Sequence, residues 1–184
     1  VIEREIAAGK LAGAVMIVKR DGQDAVLKSY GSHDVENKVP MRPDAIFRIA
    51  SMSKAVTTVA ALMLYEEGRF LLNDPVAKFI PEFSKSVVAV ASPAGSPADV
   101  KYVTVPAKHP ITIRELMTHT AGLGYGYGLV EEDYKKAKLL GWYLMDHDET
   151  IGEAMKRLAT LPLVSQPGEA FDRAGGLLHQ AEDE

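Results

Sequence analysis

A serine and a lysine three residues apart, Ser51 and Lys54, open an almost unbroken apolar run from Ala55 to Leu64. A serine hydroxyl is a weak nucleophile until a neighbouring group takes its proton. A lysine amine is almost wholly charged at pH 7, and it becomes a usable base only when burial disfavours the charged form. The pair therefore has the parts for covalent acyl chemistry, with Ser51 as nucleophile and Lys54 as its proton partner. As a bare string Ser-x-x-Lys is common, and its ordinary reading is a helix cap beside a solvated lysine. The apolar run weighs against that reading, because a lysine at the base of a buried helix needs a reason. Ser53 is the competing nucleophile, but it is adjacent to Lys54 and points elsewhere on a helix.

The positioning elements follow from the same stretch. A run that is apolar nearly all round predicts a buried helix beginning near Ser51, with Gly68 as its stop. Ser51 and Lys54 then share one face, and Ser51 lies in the first turn. There, free N–H groups and the positive end of the helix dipole favour developing negative charge. Upstream, residues 1–9 have helical spacing, with Ile2, Ile6 and Ala7 on one face. Residues 13–19 and 24–30 read as a hairpin joined through Asp21-Gly22. Gly31 to Pro43 is polar loop, and residues 45–49 are a short approach to Ser51.

Downstream, Asn73-Asp74-Pro75 predicts a cap with proline at the first position of a short helix over 76–79, ended by Pro81. Residues 87–90 and 101–105 form a candidate β-pair around a small-residue loop at 92–99. Two capping boxes, Thr112 to Glu115 and Thr150 to Glu153, open helices through about His119 and Thr160. A further helix fits 131–144, and residues 122–128, GLGYGYG, read as a flexible loop with two aromatic rings.

Composition excludes several classes. The 184 residues suit one domain with a real core, and 47% hydrophobic with 25% charged is ordinary for a globular protein. A net charge of −4 argues against a nucleic-acid surface. There is no cysteine, hence no disulfide, zinc–thiolate site or cysteine nucleophile. No apolar stretch has the length of a membrane span. Gly-x-Ser-x-Gly, phosphate-loop and dinucleotide patterns are absent, which sets aside α/β-hydrolases, P-loop NTPases and dinucleotide-dependent dehydrogenases. His119 reads as a helix-terminal histidine meeting free carbonyls. Asp146-His147-Asp148 has metal-ligand residue types but no further ligands at a recognisable spacing, so neither metal nor cofactor is expected.

Three ordered segments, FRIASMSK at 47–54, ITIRELMTHTAGL at 111–123 and QPGEAF at 166–171, resemble the serine β-lactamase and penicillin-binding-protein superfamily. Within it the chain is most similar to class C-like enzymes and family VIII carboxylesterases. The resemblance covers roughly residues 1–172. It implies an α+β fold, an antiparallel sheet flanked by helices with a mostly helical subdomain. It also implies that Ser51 forms an acyl-enzyme and that Lys54 assists its activation. Tyr125 and Tyr127 would line an acyl or alcohol pocket, as aromatic rings do in the resembled esterases; half-buried packing rings are the alternative.

The domain expectation is a single β-lactamase-like domain over 1–184, its N-terminal part only. It comprises helix and hairpin at 1–50, nucleophile helix at 51–72, helical subdomain at 73–172 and an atypical tail at 173–184. In the family the Pro-Gly-x-x-Phe segment leads to a tyrosine that moves protons with the lysine; here that position is Arg173, which cannot release a proton. The later Lys-Thr-Gly-like strand, which supplies the second oxyanion donor, and the strands completing the sheet are missing from the sequence. A fragment, a reading-frame accident, a short homologue or part of a longer chain would each explain this. Val1 in place of Met implies a removed or omitted initiator, signal or leader. The compartment is undetermined, bacterial cytoplasm or periplasm.

The expected substrate is a small ester or β-lactam, ester preferred, hydrolysed through an acyl-enzyme, with poor turnover by the chain as written. The alternative is a catalytically impaired homologue acting as an interaction module. An unpaired sheet edge favours self-association or a complementing chain.

Overall fold

The computed structural model describes residues 1–97, 100–140 and 148–171. It divides into two compact units, Val1–Lys54 and Ala55–Glu184. The first begins with helix α1, Ile2–Ala7, followed by strands β1, Gly13–Arg20, and β2, Gln23–Asp34. The hairpin forms where Asp-Gly requires it: Asp21 and Gly22 take φ of 49° and 77°, the paired positive values of a tight antiparallel turn. β1 and β2 pair antiparallel from Gly13 opposite Gly31 to Arg20 opposite Gln23, with an irregularity between Val18 and Lys19. β2 runs past the expected end at Tyr30, because its last residues pair with a third strand, β3, Val39–Pro40. Ile17, Val18 and Leu27 are exposed on this sheet at 55%, 45% and 47%.

The second unit holds the core. β4, Val87–Ala91, and β5, Tyr102–Pro106, form the expected antiparallel pair. The chain near Leu163 runs beside β4, with the Ala89 N–H donating to Leu163 O at 2.9 Å and the Leu163 N–H to Val87 O at 2.8 Å. One cluster gathers Val76, Phe83, Val88, Ile111, Ala121 and Leu163; a second gathers Ala89, Val130, Tyr134 and Leu139. Helices α3, Ile113–Met117, and α5, Ile151–Leu158, both start at complete capping boxes, Thr112 with Glu115 and Thr150 with Glu153. Between them lies α4, Glu131–Lys136, shorter than expected. Lys138, at φ 56°, ends it, and residues 141–144 lie outside the described residues.

Two local expectations change. Residues 76–78 form a 3₁₀ turn preceded by extended Pro75, and Asp74 makes no side-chain cap to it. Asp74 instead accepts the Leu71 N–H at 2.9 Å and Lys78 Nζ at 2.7 Å, and these bonds hold its carboxyl below the usual aspartate range. Pro81 opens another 3₁₀ turn, Pro81–Lys85, since a proline at a helix start forfeits no needed hydrogen bond.

The larger correction concerns helix α2, Ser53–Glu66. It forms where the apolar run predicts it, but none of its residues is buried and neither core cluster includes one. Val56, Val59 and Met63 are 66%, 58% and 60% exposed. An all-round apolar helix states what environment it suits, whereas burial depends on which other segments cover it. The described core is built from residues 76–163, leaving α2 uncovered. Among the described residues, no helix is long and apolar enough to cross a membrane.

Candidate active site

The turn that carries the candidate nucleophile Ser51 lies at the end of the first unit. Residues 50–52 make a 3₁₀ turn that leads directly into α2, and the Met52 N–H donates to Ile49 O at 3.0 Å. Ser51 sits in this turn and Lys54 in the first turn of α2, three residues on. Lys54 Nζ donates to Ser51 Oγ at 3.2 Å. The expected i, i+3 contact is thus formed, with Ser51 two residues ahead of the α-helix proper.

The surroundings differ from expectation. Ser51 and Lys54 are both exposed. Ala50, immediately before the serine, has φ 42°, a left-handed conformation that residues with a Cβ avoid. Sequence reasoning missed it because an alanine carries no signal for it; a glycine at this position would have.

The motifs at 111–123 and 166–171 form one platform inside the second unit. The Gly168 N–H donates to Thr120 O at 2.7 Å and the Val164 N–H to Gly122 O at 2.8 Å. Gln166 accepts the Lys108 N–H at 2.8 Å through Oε1, and Lys108 pairs with Glu169. His119 follows the end of α3 with φ 57°, the helix-terminal placement expected for it, and its ring meets Phe171 edge-on at 5.9 Å. The two motifs therefore co-occur because each supplies half of one backbone-bonded surface.

The glycine loop between them is packed, against the expectation of an open flexible one. A Cβ on Gly126 would lie 2.3 Å from Cγ and Cδ1 of Tyr134, itself only 1% exposed. On Gly124 it would lie 3.0 Å from both Val164 methyls. The loop follows the core beneath it, and its glycines mark close approach as well as turning freedom. Tyr125 and Tyr127 are carried on it, both half-buried. Asp146, His147 and Arg173 lie outside the described residues. Among those described, no group of three or more His, Asp or Glu side chains could hold a metal.

A Ser–Lys pair at a helix start, followed by this platform, is matched as a whole by a family model named Beta-lactamase, over residues 1–175. The chain belongs to the Beta-lactamase family. An uncharacterized protein of Mycobacterium tuberculosis is 37% identical over 190 residues, covering 98% of this chain and 44% of that protein. Esterase EstB of Burkholderia gladioli is 32% identical over 191 residues, with the same 98% and 44% coverage. Among solved structures, EstCE1, titled a hydrolase with promiscuous acyltransferase activity, superposes with TM-score 0.76 at 28% identity. That match covers 94% of this chain and 41% of EstCE1. The chain thus spans less than half the length of these relatives. The α+β fold and the hydrolase-family membership expected from the three motifs are both met.

Proposed function

We propose that the chain carries the nucleophile segment of a serine enzyme that transfers an acyl group from a carboxylic ester. Ser51 Oγ attacks the ester carbonyl carbon while its proton passes to the Lys54 amine. The tetrahedral intermediate collapses, the C–O bond to the alcohol breaks, and the proton on Lys54 leaves with that alcohol. Water then attacks the acyl-Ser51 ester and releases the acid. The observation that carries this reading is the 3.2 Å contact between Lys54 Nζ and Ser51 Oγ at a helix start. Ester is preferred to β-lactam because a relative 32% identical over 98% of this chain is named an esterase. Tyr125 and Tyr127 are the proposed contacts for the acyl or alcohol group.

The test is labelling with a fluorophosphonate serine probe and mapping of the modified peptide. Label on Ser51, lost in Ser51→Ala and slowed in Lys54→Ala, is the expected result. A folded protein that takes no label at Ser51 refutes the proposal. One observation favours a second reading, an impaired homologue that works as an interaction module: the uncovered face of α2 at Val56, Val59 and Met63. Exposed apolar stripes of this kind commonly meet another polypeptide. A folded, unlabelled protein that self-associates, or that binds a complementing chain, supports that reading.

A further inference from the structure

Five described residues other than glycine have positive φ: Asp21, Lys38, Ala50, His119 and Lys138. Four have an ordinary reason. Asp21 is in the hairpin turn, Lys38 is in the turn between β2 and β3, and His119 and Lys138 follow the ends of α3 and α4. Those are the places where a left-handed residue stops a helix or reverses a strand. Ala50 is different. It is the first residue of the 3₁₀ turn that leads into α2, where right-handed backbone is the rule, and it is an alanine, whose Cβ resists the left-handed conformation. The residue that follows it is the proposed nucleophile. Ile49, before it, is in the right-handed region at φ −88° and ψ −1°. The backbone therefore switches hand at the first residue of the 3₁₀ turn, directly ahead of Ser51, and the chain then passes into α2, where Lys54 Nζ reaches Ser51 Oγ.

We infer that Ala50 is a positioning residue: its left-handed backbone aims the Ser51 hydroxyl at Lys54 and presents the first N–H groups of the turn toward the acyl oxygen. This rests on the acyl-transfer reading above. Strained backbone of this kind persists where the surroundings over-determine it, and it is concentrated at reacting groups. If residue 50 relaxes to negative φ, the direction of the chain entering Ser51 changes. A misplacement of about 1 Å at a reacting group costs roughly a hundred-fold in rate.

The test measures fluorophosphonate labelling of Ser51 across probe concentrations in the 184-residue protein and in Ala50→Gly and Ala50→Val. Glycine accepts φ near 42° freely and valine resists it strongly. The expected result is a limiting rate in Ala50→Val about 10- to 100-fold below the parent, with the half-saturating probe concentration and the circular dichroism spectrum unchanged. Ala50→Gly should remain within about three-fold of the parent, as rescue by a residue that permits the turn. A valine variant as fast as the parent, or a glycine variant slowed ten-fold or more, overturns the inference. Should the valine variant not fold, the glycine rate still decides, together with the intraresidue HN–Hα nuclear Overhauser effect of Ala50 in the parent. A strong effect reports positive φ, and a weak one overturns the inference whatever the reactivity. An unlabelled parent defeats the acyl-transfer reading itself, and does so without reference to any variant.

Discussion

Replacing Gly126 by alanine tests whether the glycine loop is held by the core. Gly126 has φ 84°, and its added Cβ would meet Tyr134 at 2.3–2.4 Å, nearly an ångström closer than two carbons tolerate. Tyr134 cannot yield easily, being 1% exposed among Val130, Leu139 and Ala89. Gly128, two residues on, has φ 76° and nothing within 4 Å of its would-be Cβ. Gly128→Ala therefore measures the conformational penalty alone. That is about 1–2 kcal/mol for the left-handed region, partly offset by about 0.4–1 kcal/mol from a stiffer unfolded chain. Gly126→Ala carries the same terms plus overpacking, typically about 1–3 kcal/mol. The difference between the two variants isolates the contact with Tyr134. At about 2–4 °C per kcal/mol for a chain of this size, Gly126→Ala should melt roughly 2–12 °C below Gly128→Ala by circular dichroism. Equal melting temperatures would show that the loop does not rest on Tyr134.

Thr150→Ala removes the cap of α5, whose hydroxyl accepts the Glu153 N–H at 3.2 Å, and should destabilise by about 1 kcal/mol in urea titration. Thr150 also holds Glu153 below the usual glutamate range, through its N–H first and its hydroxyl second. That stabilisation is present above the ordinary value near 4.5 and is lost as pH falls through the depressed one, so Glu153→Gln should flatten the acid limb. At the alkaline end, burial first and the hydrogen bond to Asp133 second push the Tyr102 hydroxyl up to about 12. Its contribution is complete below about 10 and is lost as pH rises through about 12, and Tyr102→Phe should lose that limb in a pH-resolved melt. If the 184-residue chain presents a single oxyanion donor, steady-state hydrolysis of a chromogenic short-chain ester by protein of verified mass 20.0 kDa should run at least ~10²-fold below an ordinary esterase. Ordinary turnover abolished by Ser51→Ala would sink that expectation.

Features decided within a few residues were legible in the sequence. Asp21-Gly22 specified its hairpin, Thr112 and Thr150 specified their helix starts, and the three-residue spacing brought Lys54 to Ser51. Features decided by distant segments were not. Whether Gly126 turns freely or lies against Tyr134 depends on a ring eight residues away that the loop's own residues do not announce. Asp74 is a local exception: it looked like a cap, yet the Leu71 N–H three residues back and Lys78 four residues on took its carboxylate. The apolar residues of α2 specified a helix but not its cover. Ala50 was the least legible, because a left-handed alanine is imposed by its surroundings and not by its own preference.

The site itself divides along the same line. Its covalent geometry is local: a 3₁₀ turn that opens on a left-handed residue and a lysine three residues beyond the serine are all contained in residues 50–54. Its cover is not local, since what lies over α2 is decided by segments elsewhere. Lys54 lies in the first turn of the helix whose Val56, Val59 and Met63 are uncovered. Any polypeptide laid over that helix removes apolar area from water at about 25 cal/mol per Å². On the proposed acyl-transfer reading, a cover that extends to residues 51–54 would also withdraw water from the Ser51–Lys54 pair. If a second copy of the chain is what covers α2, labelling of Ser51 per molecule should rise with protein concentration in step with the sedimenting mass. A per-molecule rate that stays constant while the mass rises would separate assembly from reactivity and break the link drawn here.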